Sequence, residues 1–409
     1  MFKLLLKLGW RNIFRNKRKS ALTSLVIGIG LAALIFQDAL FIGMSENITA
    51  RATETFLGQG QVHAQNFRRN GDVENTIKHL EETLQLMHHT EEIENFSPRT
   101  ISPCMLSSST NSSHISLFGV FPEKEQSLSL IRKSIIRGNY LQNEKKHAIL
   151  LGDRLAKILE VDIGEHIVAT MAQAKTGELI QERFVVEGIY RIGEKRLDKG
   201  AAFILLPKAQ SLLNLGDEIH EIAWKFHHIE EADNPSLPFW KKASSLGNEA
   251  LNWKDLSPAL RSLLELSGFA TLITGCILFI LVVFIIMNSL FMSLFERRKE
   301  FGILKAMGTR PLELFFLIII EGISLAILSI AKGLLLAIIA ISVARSVGIN
   351  YSGIDIADVT LSKPIYAAMD WTHFTFYPLS IFVFTLIPSI YPACVAARIR
   401  PIKALQEQG

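Results

Sequence analysis

The chain has 409 residues, of which 49% are hydrophobic and only 20% are charged, with a net charge of +4. No Lys/Arg patch is interleaved with aromatic residues, which excludes a nucleic-acid partner. The apolar residues are gathered into long runs, Leu266–Phe295 being 30 residues without a charge, and that excludes an ordinary soluble protein.

Residues 1–19 carry Lys3, Lys7, Arg11 and Arg15 at four-residue steps, then Lys17, Arg18 and Lys19. With Leu6, Trp10, Ile13 and Phe14 opposite, the pattern predicts a basic amphipathic helix lying in the headgroup region. Residues 20–44 form the first apolar run, broken only by Asp38. Ala50-Arg51-Ala52 imitates a signal cleavage site, but the run exceeds the roughly 7–15 residues of a signal core. A retained first span is expected.

Residues 45–264 are hydrophilic and long enough for one or two domains. Asp72–His88 has helical spacing of Ile77, Leu80, Leu84 and Met87. Gln59–Ala64, His147–Leu151, Phe184–Ile189, Ala201–Leu206 and Glu221–Phe226 read as strands, with a helix opening after Leu151. The fold class predicted is an α-helical membrane protein with four transmembrane helices. A large α+β domain, mostly antiparallel, is inserted between helices 1 and 2. The later spans are 265–295, 312–345 and 373–397, the last kinkable at Pro378, Pro388 and Pro392. Residues 346–372 form a short loop and 398–409 a basic tail. Trp371, Tyr377 and Tyr391 are placed as interface aromatics. Basic clusters at the N-terminus, in 296–311 and after the fourth span share one side by parity. The positive-inside rule makes that side cytoplasmic, which puts the large domain outside.

Chemistry is sparse. No Gly is followed by Lys anywhere, so a phosphate-binding loop of the G-x-x-x-x-G-K-[ST] type is impossible. The adjacent pairs His88-His89 and His227-His228 diverge, and no metal is expected. Cys276 and Cys394 lie in apolar runs and Cys104 stands alone, so no disulfide framework is expected. Two charges interrupt the third span. Glu321 and Lys332 lie 11 residues apart on one helix face, about 16 Å along the axis, too far to pair directly. Such charges face a protein interior or a watery cavity, or reach the surface by snorkelling, Lys332 outward.

The segment 296–311 lies between two spans and is too short to cross a bilayer. As a helix it places Phe301, Leu304 and Met307 or Gly308 on one apolar stripe, with Arg297, Arg298, Lys299 and Lys305 elsewhere. Gly308 suits its stop and Pro311 the first turn of the next helix. The alternative is an ordinary basic loop.

Glu-Arg-Arg-Lys-Glu-Phe-Gly-Ile-Leu-Lys-Ala-Met-Gly, then Glu321-Gly322, then Tyr391-Pro-Ala…Ala-Ala-Arg-Ile-Arg-Pro-Ile-Lys-Ala-Leu resemble the FtsX-like permeases. These are the membrane subunits of type VII ABC transporters, including the MacB and LolC/LolE proteins. The resemblance covers the whole chain, with Lys332 standing where such spans usually carry small or apolar residues. It implies a non-catalytic subunit of a bacterial inner membrane, both termini cytoplasmic, that passes ATPase motion to a periplasmic domain. ATP and Mg would be bound by a separate ABC ATPase dimer, which sets aside a fused arrangement. Glu296, Arg297, Arg298, Lys299, Glu300, Phe301, Gly302, Leu304, Lys305, Met307 and Gly308 would form the coupling helix. Its Arg297, Arg298 and Lys299 would steer docking, while Phe301, Leu304 and Met307 fill the socket. A second permease copy or homologue is implied, with membrane lipids as surroundings. Resemblance to the LolC/LolE branch implies lipoprotein extraction for transfer to a periplasmic carrier. Acyl chains would then meet Ile35, Phe36, Leu40 and Phe41, facing Phe269, Ile273 and Ile277. Peptide or drug efflux, or control of a cell-wall hydrolase or sensor kinase, remain alternative uses of the same architecture.

Overall fold

The structure, a computed structural model, describes residues 11, 12, 15, 17–245, 247–350, 355–356, 359–360 and 364–400. Most of the amphipathic segment expected at the N-terminus, with Leu6, Trp10, Ile13 and Phe14, lies outside them, as does the tail beyond Arg400. The chain divides into two compact units, one centred on Glu46–Leu263 and the other on the long apolar helices.

Ten strands make the sheet of the large domain: β1 (Gly60–Ala64), β2 (Ile93–Ser107), β3 (Ser112–Val120), β4 (Ile135–Gly138), β5 (Ala148–Gly152), β6 (His166–Ala172), β7 (Leu179–Tyr190), β8 (Ala201–Leu205), β9 (Glu221–Phe226) and β10 (Asn248–Asn252). The order is β10-β1-β9-β2-β3-β8-β5-β7-β4, and β6 pairs with both β2 and β7. Strands β2, β3, β8, β5, β7 and β6 therefore close into a ring. Within it only β3/β8 and β5/β7 are parallel. Alternate residues supply one core: Cys104 and Leu106, Ile115 and Leu117, Ile149 and Leu151, Ile167 and Ala169, Phe184 and Val186. That is the period of two expected of pleated strands. The other faces of β5 and β8 are buried too, with Leu150, Phe203 and Tyr190 around Phe56.

Two sequence expectations change. Asp72–His79 is not helical; Ile77 donates its N–H to Ile219 O, and the helix is Leu80–His89. His79 precedes it with a φ of 49°, a left-handed residue that breaks any continuous helix. The longest strand, β2, was not expected, because Pro98 and Pro103 interrupt its pattern. At its centre Arg99 is fully buried between Glu125 (2.7 Å) and Glu221 (2.6 Å), its guanidinium 3.7 Å from the Phe56 ring centroid.

Among the described residues, four helices are long and apolar enough to span a membrane: Lys17–Ala52 (running on through a π-helical turn, Thr53–Leu57), Pro258–Glu296, Pro311–Val347 and His373–Ala397. The first two outrun the predicted boundaries, because polar residues next to the apolar runs continue the helix. First and third spans cross closely at Gly28 and Gly333: a Cβ on Gly333 would lie 2.9 Å from Gly28 O. Small-residue packing, which Lys332 put in question, is present one residue beyond it. The third and fourth spans meet at Gly322, where a Cβ would come within 2.5 Å of Ser389 Oγ. Away from the connecting segment, Asp38 of the first span accepts from Tyr377 Oη (2.7 Å) and lies 2.9 Å from His373 Nε2 of the fourth. Tyr377 thus ties two spans together instead of standing as an interface aromatic, whereas Trp371 is exposed.

Candidate functional site

Arg298–Ala306 is a nine-residue helix between the second and third spans. Gly308, at φ 97°, ends it, with Gly308 N–H on Lys305 O and Thr309 N–H on Leu304 O. A positive φ costs glycine little, which is why the chain can turn there. The third span then opens at Pro311, and Glu313 accepts from the Arg310 N–H at 3.1 Å.

The faces of this helix differ from the sequence expectation. Phe301 is 0% exposed and belongs to the apolar core of the spans, with Leu304 packed against that core and Gly302 buried. Phe301 is therefore unavailable to fill a partner's socket; it fastens the helix to its own spans. The outward stripe is Lys299, Ile303, Ala306 and Met307, with Met307 71% exposed. Ile303 was missed because only one apolar stripe was sought. Residues 299, 303, 306 and 307 follow the same helical spacing, a third to nearly half of a turn round from Phe301.

The charges divide likewise. Arg297, expected to steer docking, is instead 11% exposed and turns inward. Its Nη1 lies 3.4 Å from Glu321 Oε2, its Nε donates to Glu300 at 3.0 Å, and its guanidinium carbon is 4.9 Å from the Phe301 ring. Glu321 is completed by Ser293 Oγ at 2.7 Å. Its carboxylate is thus neutralised within the protein and does not reach for the surface. Glu300 also receives Arg15 at 2.9 Å, and Lys19 reaches Glu296 at 3.4 Å. Burial alone would raise the Glu300 carboxyl, but hydrogen bonds from Arg15 and Arg297 hold it below its ordinary value. Lys305 donates to Ala397 O (2.7 Å) and Ile399 O (2.8 Å), capping the end of the fourth span. One short helix is therefore bonded to the N-terminal segment, the third span and the fourth. Arg298 is half-buried, and Glu296 and Lys299 are exposed.

The expected acyl contacts do not share one surface. Ile35 is buried in the core, Phe36, Leu40 and Phe41 are half-buried, and Phe269, Ile273 and Ile277 are exposed at four-residue spacing. The first two spans touch instead through Gln37 and Thr274 and through Thr23 and Ser289. Lys332 does not snorkel outward: its Nζ reaches back to Ser24 Oγ at 2.7 Å and Ala21 O at 3.3 Å. Among the described residues no cluster of three or more His, Cys, Asp or Glu could hold a metal.

Four spanning helices, a sheet domain after the first and a bonded helix between the second and third define a permease-like membrane subunit. Residues 272–401 match the family described as FtsX-like permease C-terminal. The chain is 22% identical over 304 residues to the lipoprotein-releasing system transmembrane protein LolC of Xylella fastidiosa, covering 70% of this chain and 72% of that one. It is 22% identical over 418 residues to the corresponding LolE of Haemophilus influenzae, covering 97% and 98%. It is 23% identical over 427 residues to the macrolide export ATP-binding/permease protein MacB of Bdellovibrio bacteriovorus, covering 97% of this chain and 61% of that protein. Residues 272–401 thus carry the mark of an FtsX-like permease C-terminal region, and the chain as a whole is similar to LolC, LolE and MacB.

Proposed function

We propose that this permease transmits the motion of a cytoplasmic ABC ATPase dimer to a periplasmic domain, and that the work done is release of lipoproteins from the bacterial inner membrane. The observation that carries the coupling is the two-faced connecting helix. Lys299, Ile303 and Met307 point outward for a partner, while Phe301, Arg297 and Lys305 hold the other side to the spans. An exposed apolar residue beside a charge is what a docking core with a polar rim requires. A push on such a helix reaches the third span through a buried ion pair and the fourth through two hydrogen bonds. ATP and Mg are held by the ATPase, not by this chain. The exposed stripe Phe269, Ile273 and Ile277 suits lipid, an acyl chain or a second permease copy.

Lipoprotein release is favoured by the two relatives whose names describe it, one of which aligns over nearly the whole chain. Export is a second reading, favoured by the MacB relative. Affinity purification of the full chain in mild detergent separates them. Co-purification of an ATPase with lipidated proteins is the expected result. An ATPase with a membrane-fusion protein and no lipidated species would favour export, and absence of any ATPase would reject the coupling.

A further inference from the structure

The charge on Lys332 has a different setting from that of Glu321. Glu321 has an arginine; Lys332 has only the Ala21 carbonyl and the Ser24 hydroxyl, and among the described residues no carboxylate pairs with it. An ammonium carries three donors, so one remains. A cation within a span is normally matched by an opposite charge. The Gly28–Gly333 crossing fixes the lysine against the first span. Its side chain runs back along the groove between the two helices, toward the end that carries Lys17, Arg18 and Lys19. Ser24 lies five residues past Lys19, about 7–8 Å deeper along the helix, a distance that the extended lysine stem and the lipid headgroup layer, roughly 5–7 Å thick, bridge together. The groove opens outward there: Ala21 and Leu25 are exposed, as is Arg18, three residues before Ala21 on the same helix face. Exposed Leu22, Val26 and Ile29 continue the apolar wall below.

We propose that Lys332 and Arg18 hold the phosphate of a phospholipid, in the leaflet on the connecting-helix side, between the first and third spans. The lipid's phosphate supplies the anion that the protein omits, and one acyl chain lies along Leu25 and Ile29. This site is separate from any cargo surface on the second span and stands whether or not lipoprotein release is the function.

The test is native mass spectrometry of the full chain, delipidated in detergent and titrated with phosphatidylglycerol, with diacylglycerol and inorganic phosphate as separate arms. One basic contact near the surface contributes about 1 kcal/mol, or about fivefold in affinity. Lys332→Met is expected to bind phosphatidylglycerol about fivefold more weakly, and Lys332→Arg to bind it as the parent does. Diacylglycerol should not be retained, and millimolar phosphate should not displace the lipid. Equal binding by parent and Lys332→Met overturns the site, and displacement by inorganic phosphate overturns its assignment to a lipid. Should Lys332→Met not elute as a folded protein, exposed Arg18→Gln makes the same comparison, with weaker binding expected and unchanged binding contradicting it.

Discussion

Arg297 and Arg15 both contact Glu300, yet burial makes them unequal. Arg15–Glu300 is exposed, and such pairs contribute about 0–1 kcal/mol. Arg297–Glu321 is largely shielded from water, and removing one member of a buried pair costs about 3 kcal/mol or more, because the other is left uncompensated. Arg297→Met should therefore lower the thermal midpoint of the detergent-purified protein by several degrees, while Arg15→Gln barely moves it. Adding Glu321→Gln to Arg297→Met should restore part of the loss; a double variant as unstable as the sum of the singles would show that the two side chains act independently. In the sheet domain, burial together with nearby Arg68 lowers His63 to about 3, so it is neutral when folded. Unfolded, it titrates near 6.5. The unfolded chain then binds the extra proton between those values, so the stability His63 contributes is whole above about pH 6.5 and is lost as pH falls toward 3. His63→Gln should flatten the decline of thermal midpoint between pH 6.5 and 4; an unchanged slope would assign it to other groups.

The connecting helix shows most plainly what an element can do that its residues alone do not reveal. Its existence, its glycine stop and the proline after it were legible in the sequence, since each has a local cause. Its orientation was not. Spacing alone gathers Phe301, Leu304 and Met307 into one broad apolar stripe, and only the core beneath Phe301 shows that it is buried while Met307 is exposed. Arg297 and Lys299 are likewise two residues apart in one basic run, and one is claimed by Glu321, 24 positions away. The same limit applies to β2: a strand carrying Pro98 and Pro103 is disfavoured locally and forms because β3, β6 and β9 pair with it. The four spans were legible because apolar length alone demands them, whereas the Lys332–Ser24 contact depends on the Gly28–Gly333 crossing. Met307→Glu puts a carboxylate on the exposed stripe, so it should leave folding intact and abolish ATPase co-purification. An undiminished complex would show that the partner grips elsewhere. Gly28→Leu should have the opposite effect, destabilising the crossing itself, as seen in early elution as an aggregate; a well-folded Gly28→Leu protein would refute close packing there.

For the whole molecule, two helices, Lys17–Ala52 and Pro258–Glu296, run without interruption past the residues at which the two compact units divide. A continuous helix transmits displacement along its axis better than a loop does, because each turn is held by hydrogen bonds to the next. Under the proposed coupling, motion imposed where Glu296 ends the second span would travel along these helices. That route is useful only if the connecting helix and the sheet domain lie on opposite faces of the membrane. Cysteine labelling in intact cells with a membrane-impermeant maleimide decides this, in a background without Cys104, Cys276 and Cys394. Leu179→Cys, on an exposed strand end of the sheet domain, should react from outside. Met307→Cys should react only after permeabilisation, and should be protected when the ATPase is bound. Labelling of both positions from outside would leave the connecting helix with no cytoplasmic partner to move it, and would contradict the account.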